Sequence, residues 1–216
     1  MDKERIKEKI IENGVVVIIR VNSSELAEKA TYFLYENGLK SIEISTTSPR
    51  AIEVIKSIKT KLADNIILGA GTILDSETGR MALLAGADFL VTPILKKRII
   101  KLSNRYNSVL FSGASTPTEI MKSWELGADF IKVFPARALG GPSFIKDILG
   151  PFPYLNLAPT GGITIENTGD YLRAGATVVC IGSSLINSYE INAGKFDSLI
   201  KKCQILSQVI KQAREK

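Results

Sequence analysis

The segment LGADFIKVFP, residues 126–135, combines a glycine turn, a short apolar run and a lysine inside that run. Its pattern recurs in three other segments, which read NGLKSIEIS at 37–45, AGADFLVTP at 85–93 and AGATVVCIG at 174–182. Each segment is typical of a helix that ends at a glycine, followed by a tight turn and an apolar strand. The segments are spaced by multiples of roughly 20–25 residues, which indicates repeated βαβ units.

Completing this pattern predicts an α/β fold with eight parallel strands. The strands are expected near residues 15–21, 41–45, 66–72, 89–93, 109–114, 130–135, 155–162 and 177–183. Amphipathic helices are expected between them, for example at 23–37, 48–62, 76–85, 117–126 and 166–174, with a last long helix near 195–213. No linker interrupts these units, so residues 1–216 are predicted to form a single (β/α)8 TIM-barrel domain. A short N-terminal helix would cap the barrel bottom.

An open, doubly wound sheet is the alternative architecture for such alternating units. No GxGxxG motif follows the first predicted strand, which disfavours a dinucleotide-binding fold of that class. The choice between a closed barrel and an open sheet decides how Lys132 is interpreted, because only an open sheet has edge strands that face water. In a closed barrel the edge is absent, and Lys132 needs another explanation.

Composition and length place the chain among ordinary globular proteins. It has 216 residues, of which 45% are hydrophobic and 23% are charged. Its longest aliphatic run, VVVII at 15–19, is far too short to cross a bilayer, so no membrane association is expected. The charged segment MDKERIKEKI at 1–10 has no apolar core of a secretory signal. Cys180 and Cys203 show no CxxC spacing, and we expect both to be reduced and structural in a cytoplasmic protein.

The formal net charge of +6 raises the question of a nucleic-acid partner. The lysines alternate with acidic residues, however, and no basic block is interleaved with aromatic residues. We therefore expect no nucleic-acid binding, and a solvated surface that favours anionic metabolites.

The chain contains no histidine. This excludes every Ser/His or Cys/His catalytic arrangement and every histidine-ligated metal site. Any proton transfer must therefore use carboxylates, lysine, tyrosine, hydroxyl groups or water.

Polar residues are concentrated at the ends of the predicted strands, where barrel enzymes build their active sites. The residues at these strand ends, polar and otherwise, are Arg20, Glu43, Thr72, Pro93, Ser112, Lys132, Thr160, Gly161, Gly162, Gly182, Ser183 and Ser184. Arg20, Glu43 and Lys132 each place a charge in an aliphatic run. A structural ion network is one explanation for the three charges, although buried charges are costly compared with aliphatic side chains.

The chemistry of a buried lysine gives the functional interpretation. Near another cation and in an apolar cavity, the neutral amine is favoured over the ammonium form. Such an amine attacks a ketone to form a Schiff base, which then accepts electrons during cleavage of a neighbouring C–C bond. Glu43 is the only carboxylate embedded in a predicted strand, and it is the candidate proton carrier for Lys132.

Glycine turns at the strand ends indicate anion binding. PTGGI at 159–163 and IGSS at 181–184 end the seventh and eighth predicted strands, where barrel enzymes usually bind phosphate. A third turn, GAGT at 69–72, would bring the Thr72 hydroxyl to a substrate carboxylate. Its alternative role is simply a close-packed strand end.

Together these motifs resemble the family of 2-keto-3-deoxy-6-phosphogluconate (KDPG) and 4-hydroxy-2-oxoglutarate (KHG) aldolases. The resemblance is carried in register by IEIS with Glu43, GAGT with Thr72, IKVFPA with Lys132, LAPTGGI at 157–163 and CIGSS at 180–184. It covers nearly the whole chain, from about residue 15 to 184. It implies a class I aldolase with a (β/α)8 barrel, usually a homotrimer, that needs no metal and no other cofactor.

The resemblance also implies roles for individual residues. Lys132 would form the Schiff base with pyruvate or with the 2-keto group of a phosphorylated sugar acid, and Glu43 would shuttle protons, partly through a water. Thr72 would hold the pyruvate carboxylate. Phe134 would pack by the imine, Thr160 would line the pocket, and Gly161, Gly162 and Ser184 would take the phosphate end. The predicted substrate-binding residues also include Thr47, Pro93, Gly182 and Ser183.

One position departs from the family pattern. Many members carry an arginine four residues after the catalytic glutamate, and here that position is Thr47. A subset of the family instead has an arginine at the end of the first strand, in the context R-x-N-S. This chain reads RVNS at 20–23, so Arg20 is expected to supply the missing cation.

The resulting hypothesis is a pyruvate-dependent aldolase that reversibly cleaves KDPG to pyruvate and glyceraldehyde 3-phosphate, and by extension KHG to pyruvate and glyoxylate. Two alternatives remain from the sequence. A phosphosugar isomerase or epimerase would keep the glycine turns without needing a lysine in the sixth strand. A barrel without activity would only bind a phosphorylated metabolite.

Overall fold

The computed structural model describes residues 1–186, 188–192 and 196–215, which exclude residue 195 at the predicted start of the last helix. Strands and helices alternate through most of this part of the chain. The strands are β1 Val15–Ile19, β2 Ser41–Ser45, β3 Ile67–Gly71, β4 Phe89–Thr92, β5 Val109–Ala114, β6 Phe130–Val133 and β7 Val179–Ile181. The helices are α1 Lys3–Asn13, α2 Ser24–Glu36, α3 Ala51–Leu62, α4 Ser76–Leu84, α5 Lys97–Tyr106, α6 Pro117–Glu125, α7 Pro142–Leu149, α8 Ile165–Arg173, α9 Ser188–Asn192 and α10 Phe196–Arg214.

The strands form one parallel sheet in the order β6-β5-β4-β3-β2-β1-β7. From β1 to β6, each strand pairs with the next one along the chain, as repeated βαβ units require. The chain returns at β7, which pairs with β1. Because every pair is parallel, the carboxyl ends of all the strands lie at the same rim of the sheet.

The segment 156–160 closes the sheet between β6 and β7, but it is not the regular strand predicted at 155–162. On one side Ala158 N–H and Thr160 N–H donate to carbonyls of β6 at 2.8 and 2.9 Å. On the other side Cys180 N–H donates to the Pro159 carbonyl at 2.9 Å. Pro159 has no N–H of its own, so the ladder towards β7 is interrupted and the isolated bridge between Thr160 and Cys180 remains on that side. The closed, barrel-like sheet confirms the predicted α/β architecture and excludes the open alternative.

Alternation along the strands separates two apolar layers. In β1, Val15, Val17 and Ile19 pack in the large cluster between the sheet and the surrounding helices. Val16 points the other way and packs in a second cluster inside the barrel. The same alternation decides which residues of every other strand face the barrel interior.

Helix α1 closes the bottom of the barrel, as the sequence predicted. Ile6 and Ile10 are buried in the interior cluster, against residues near the starts of the strands such as Phe89 and Phe130. The helix begins at an N-cap, Asp2, whose side chain accepts a hydrogen bond from Arg5 N–H at 2.9 Å. These side chains fill the lower end of the barrel, opposite the rim formed by the carboxyl ends of the strands. Across the described residues, no helix is long and apolar enough to span a bilayer.

Candidate active site

Lys132 points into the barrel from β6. Its neighbours Ile131 and Val133 belong to the outer cluster, so the alternation of the strand directs Lys132 to the interior. The side chain is 5% exposed. Its Nζ lies 5.6 Å from the ring centre of Phe134, which is within the range of a cation–π contact. It forms no hydrogen bond and no ion pair with any residue that the structure describes, so the amino group is available to a ligand.

Glu43 points into the same interior from β2. Ile42 and Ile44 pack in the outer cluster, and Glu43 is fully buried between them on the opposite face. Neither of its carboxyl oxygens has a hydrogen-bond partner among the described residues. Burial raises the pKa of the Glu43 carboxyl above its usual range, and the positive charges of Lys132 and Arg20 oppose that rise. A carboxyl in these surroundings is suited to exchanging protons with a ligand.

Gly71 makes room for the Glu43 carboxyl. A Cβ atom at position 71 would overlap Oε1 of Glu43, so no larger residue fits at this point of β3. The sequence assigned the glycines of GAGT to ligand approach or to close packing. The structure shows close packing, and the packed group is the carboxyl of Glu43.

Four side chains form a hydrogen-bonded chain along the ends of β1, β2 and β3. Arg20 Nη2 donates to Thr72 Oγ1 at 3.3 Å. Thr72 Oγ1 lies 2.8 Å from Ser45 Oγ, which in turn lies 2.8 Å from Thr47 Oγ1. Thr72 adopts a left-handed backbone with φ of 59°, and Thr46 Oγ1 donates to its carbonyl at 3.0 Å. The predicted residues Arg20, Thr47 and Thr72 are thus in one network.

Ser45 was not predicted, although it is the centre of this network. It is fully buried and lies two residues after Glu43, so it faces the same side of β2. This spacing is the signal that identifies it in the sequence. Its importance becomes clear only once β2 and β3 are paired, because this pairing brings Thr72 within reach.

The glycine turn after residue 160 packs against the end of β6. Gly161 and Gly162 have φ of 90° and 80°, values that L-residues with a side chain rarely adopt. A Cβ atom at Gly161 would lie 3.3 Å from the Phe134 ring, and one at Gly162 would lie 2.6 Å from Arg137 Cβ. Thr160 is buried and its N–H donates to the Val133 carbonyl at 2.9 Å.

The turn after β7 lies beside this glycine turn. Ser184 Oγ donates to the Ile163 carbonyl at 2.6 Å, which joins the two turns. Ser183 and Ser184 are both exposed, and they follow Gly182. Within residues 1–186, 188–192 and 196–215, the backbone N–H groups of Gly162, Ser183 and Ser184 donate to no protein acceptor. Free N–H groups of this kind are suited to binding an anion.

Pro93 lies beside β5 and not beside Lys132 itself. It follows β4 and is partly buried. A Cβ atom at Gly113 would overlap its backbone, and Gly113 is the register partner of Lys132. Pro93 therefore lies two strands away from the lysine, with Gly113 of β5 between them. Ser112, also at a predicted strand end, faces outward and shares a 3.0 Å hydrogen bond with Ser123 of α6.

Neither cysteine is suited to act as a nucleophile. Cys180 and Cys203 are both free and buried. Burial raises the pKa of each thiol to about 11, so both remain protonated. In the described part of the chain, no group of three His, Cys, Asp or Glu side chains is arranged to hold a metal ion.

One cavity lies away from these residues. It has a volume of about 430 Å³ and is lined by residues such as Asn13, Leu39, Ile210 and Arg214, at the bottom of the barrel. The buried, unpaired charges of Lys132 and Glu43 lie inside the barrel instead, beside the polar network at its opposite rim. Catalysis would use the amine of Lys132 and the carboxyl of Glu43, so the rim beside them is the candidate active site.

Comparison with known proteins points to one family. The family model for KDPG and KHG aldolases matches residues 6–203 of the chain. The 2-dehydro-3-deoxy-phosphogluconate aldolase of Haemophilus influenzae is 33% identical over 208 residues, which cover 96% of this chain and 98% of that protein. The KHG/KDPG aldolase of Escherichia coli is 34% identical over 196 residues, which cover 90% of this chain and 91% of that protein.

A solved structure agrees with the sequence comparisons. The chain superposes on KDPG aldolase from Legionella pneumophila with a TM-score of 0.84 and 26% sequence identity, covering 94% of this chain and 97% of that one. That structure was determined with pyruvate captured at low pH as a covalent carbinolamine intermediate.

Proposed function

Since the chain belongs to the family of KDPG and KHG aldolases, we propose that it is a class I aldolase that reversibly cleaves KDPG to pyruvate and glyceraldehyde 3-phosphate. The same chemistry would cleave KHG to pyruvate and glyoxylate. The observation that carries the proposal is the Lys132 side chain, which is directed into the barrel without an ion-pair partner among the described residues.

The reaction follows from a neutral Lys132 amine. Its nitrogen attacks C2 of KDPG, and loss of water from the carbinolamine gives a protonated imine. Removal of the proton from the C4 hydroxyl breaks the C3–C4 bond, releases glyceraldehyde 3-phosphate and leaves the electron pair in an enamine. Protonation of C3 and hydrolysis of the imine then release pyruvate and restore the amine.

Glu43 is proposed to carry the protons in these steps, partly through a water. Its carboxyl is buried beside the interior charges, and its raised pKa makes proton uptake easier than for an exposed carboxyl. No protein group competes for its oxygens among the described residues. Water or substrate can therefore occupy those positions during turnover.

The remaining predicted residues are proposed to bind the two ends of the substrate. Thr72, with Arg20 donating to its hydroxyl, would hold the carboxylate next to the imine, which supports the exchange of the family arginine at Thr47 for Arg20. Phe134, Pro93 and Thr160 would line the pocket. The phosphate would bind at the free N–H groups of the two turns formed by Gly161, Gly162, Gly182, Ser183 and Ser184.

Four properties of the whole protein are also proposed. Residues 1–216 would form one domain, because one sheet runs through the described residues. The protein would be cytoplasmic, which two unpaired, buried cysteines support. The homotrimeric state is proposed from the family resemblance alone. We propose that catalysis needs neither a metal nor another cofactor, as class I aldolase chemistry uses the lysine itself.

Reductive trapping tests the proposed function. Incubation with pyruvate and borohydride is expected to attach a reduced adduct to Lys132, located by peptide mass spectrometry. Lys59, a largely buried lysine that forms an ion pair with Asp88 at 2.9 Å, is an internal control and should remain unlabelled. Lys132→Ala is expected to abolish both the adduct and KDPG cleavage. An unmodified Lys132, or full cleavage activity in Lys132→Ala, would rule out the proposal.

A further inference from the structure

Ser45 lies at the point where two hydroxyl groups of the candidate site meet. Its Oγ is 2.8 Å from Thr72 Oγ1 and 2.8 Å from Thr47 Oγ1, and Thr47 N–H approaches it at 3.4 Å. The side chain is fully buried. A buried hydroxyl with this many partners has little freedom to rotate. The direction of its hydrogen therefore depends on what its partners donate and accept.

The donors and acceptors in this network can be counted. A threonine or serine hydroxyl has one hydrogen and two lone pairs, whereas an arginine only donates. Arg20 therefore occupies one lone pair of Thr72 Oγ1. Thr47 N–H likewise occupies a lone pair of Ser45 Oγ. Two arrangements of the hydroxyl hydrogens remain. In the first, Thr72 donates to Ser45 and Ser45 donates to Thr47. In the second, Thr47 donates to Ser45 and Ser45 donates to Thr72.

A carboxylate ligand selects between these two arrangements. An ionised carboxylate only accepts hydrogen bonds, so a carboxylate at Thr72 requires that Thr72 donates its single hydrogen to the ligand. Ser45 must then donate to Thr72, and Thr47 to Ser45. In this arrangement both lone pairs of Thr72 are filled by Arg20 and Ser45, and its hydrogen has no direction left except towards the ligand.

We propose that Ser45 is a positioning residue which, together with Arg20, fixes the Thr72 hydroxyl as a hydrogen-bond donor to the carboxylate of the 2-keto acid. The inference rests on the proposed function and adds to it a residue that the family resemblance did not assign. It makes recognition of the carboxylate a cooperative property of β1, β2 and β3. The neutral hydroxyl groups of this network, together with Arg20, then bind the carboxylate in place of an arginine at position 47.

The backbone of Thr72 does not depend on Ser45. Its left-handed conformation is held by Thr46 Oγ1, which donates to the Thr72 carbonyl at 3.0 Å, and by the pairing of β2 with β3. Removing the Ser45 hydroxyl should therefore leave Thr72 in place while its hydroxyl becomes free to rotate. This separates an effect on ligand orientation from an effect on structure.

The test compares pyruvate with methyl pyruvate, an ester that keeps the ketone but has no carboxylate. The rate of borohydride-trapped adduct on Lys132 is measured against the concentration of each ligand. Ser45→Ala is expected to raise the half-saturating concentration of pyruvate on the order of tenfold, as for loss of a hydrogen bond to a charged group, and that of methyl pyruvate much less. Ser45→Thr keeps the hydroxyl and is expected to restore the preference for pyruvate.

Two further variants separate the parts of the network. Arg20→Ala should also weaken pyruvate binding, and the double variant with Ser45→Ala should lose less than the product of the single effects, because both act through Thr72. Arg20→Ala should in addition shift the acid limb of the activity profile to higher pH, since its charge opposes the raised pKa of Glu43. Ser45→Ala should leave that limb where it is. Ser103→Ala removes a buried, hydrogen-bonded serine hydroxyl of α5 outside the site, so it is the matched control and should change the melting temperature without changing the ligand preference.

The outcomes distinguish this inference from the proposed function. If wild-type protein forms no adduct with pyruvate, the proposed function is wrong. If wild-type forms the adduct but Ser45→Ala weakens both ligands equally, only the role of Ser45 is wrong. Where the alanine variant does not fold, Ser45→Cys, which has nearly the same size and a weak donor, is expected to show the same loss of preference.

Discussion

The carboxyl group of Glu43 is buried away from water and accepts no hydrogen bond from any described residue. Its two oxygens are buried and unpaired among the described residues, and only the charges of Lys132 and Arg20 compensate for the lost solvation. Ionisation of such a group is costly, so burial raises the pKa of Glu43. A carboxyl group whose pKa is raised in this way takes up a proton more readily than an exposed carboxyl does, as a proton carrier requires.

Glu43→Gln tests whether this carboxyl carries protons after the imine has formed. Glutamine keeps the size of the side chain but cannot exchange a proton, so adduct formation on Lys132 should persist. Turnover of KDPG should fall by about 10²–10⁴-fold, the usual contribution of general acid–base catalysis. Borohydride trapping measures the first step, and a coupled assay of pyruvate release measures the second. An equal loss in both assays would contradict the assigned role.

Single charged residues could be predicted from the sequence, whereas the roles of their supporting residues could not. Lys132 and Glu43 stand out because a charge in an aliphatic strand requires an explanation. Ser45 and Gly71 do not stand out, since serine and glycine are ordinary residues at strand ends. Their functions arise from the pairing of β2 with β3, which places Thr72 beside Ser45 and leaves no room for a Cβ atom next to Glu43.

Among the elements, the segment 156–160 departs from regular strand structure and still closes the barrel. It provides hydrogen bonds to β6 and β7, yet Pro159 interrupts its ladder on the β7 side. The alternation of LNLAP predicts a strand, and proline at the fifth position prevents a regular one. The chain then turns through Gly161 and Gly162, so the irregular element places the anion-binding turn beside the end of β6.

Gly162→Ala tests how much the second position of this turn matters, with Gly38→Ala as the control. Both glycines have a positive φ, 80° and 85°, so both variants should lose about 1–2 kcal/mol from backbone strain. A Cβ atom at Gly38 meets nothing within 4 Å, whereas one at Gly162 meets the Arg137 side chain at 2.6 Å. We therefore expect only Gly162→Ala to displace the turn and to weaken KDPG cleavage.

The comparison of the two glycine variants uses both KDPG and KHG as substrates. Kinetics with KDPG and KHG, alongside thermal unfolding of each variant, separate loss of phosphate binding from loss of stability. Gly162→Ala should raise KM for KDPG more than for KHG, which carries no phosphate. If the two glycine variants have the same effect on KDPG, the turn does not bind the phosphate end.

For the molecule as a whole, closure of the sheet is what assembles the candidate site. Its residues come from the ends of β1, β2, β3 and β6 and from the two turns around β7. An open sheet would leave β6 and β7 at opposite edges, and the glycine turn could not lie beside Lys132. The net charge of +6 adds a general attraction for anionic substrates.

The barrel was predictable because its evidence is repeated. Four segments in the chain carry the same helix, glycine turn and strand pattern, and the βαβ reading of any one of them is supported by the others. The plug formed by α1 was predictable from its position before β1. The details of closure were not, because one proline decides whether segment 156–160 forms a regular ladder, and only its partners show which hydrogen bonds survive.

The buried carboxyl of Glu43 should lower the free energy of unfolding of the whole molecule at neutral pH. Because burial raises its pKa above the ordinary value of 4.5, the folded state binds this proton more tightly than the unfolded state does. Stability should therefore fall as pH rises from that ordinary value through the raised one, and below it the effect should vanish. Glu43→Gln lacks this cost, so its melting temperature should exceed that of wild-type at neutral pH and approach it near pH 4. Each 1 kcal/mol corresponds to about 2–4 °C in a chain of this length.

Thermal unfolding from pH 4 to pH 8 measures this difference. Glu8→Gln, at an exposed position of α1, is the matched control and should follow wild-type across the range, because its carboxyl stays in water. A melting temperature of Glu43→Gln below that of wild-type at neutral pH would mean that the Glu43 charge stabilises Lys132 and Arg20 by more than its own desolvation costs. The site would then hold an ion network that favours the fold, and proton transfer by Glu43 would have to occur against that stabilisation. A gain that grows with pH would instead show that the fold tolerates an unfavourable carboxylate which the reaction requires.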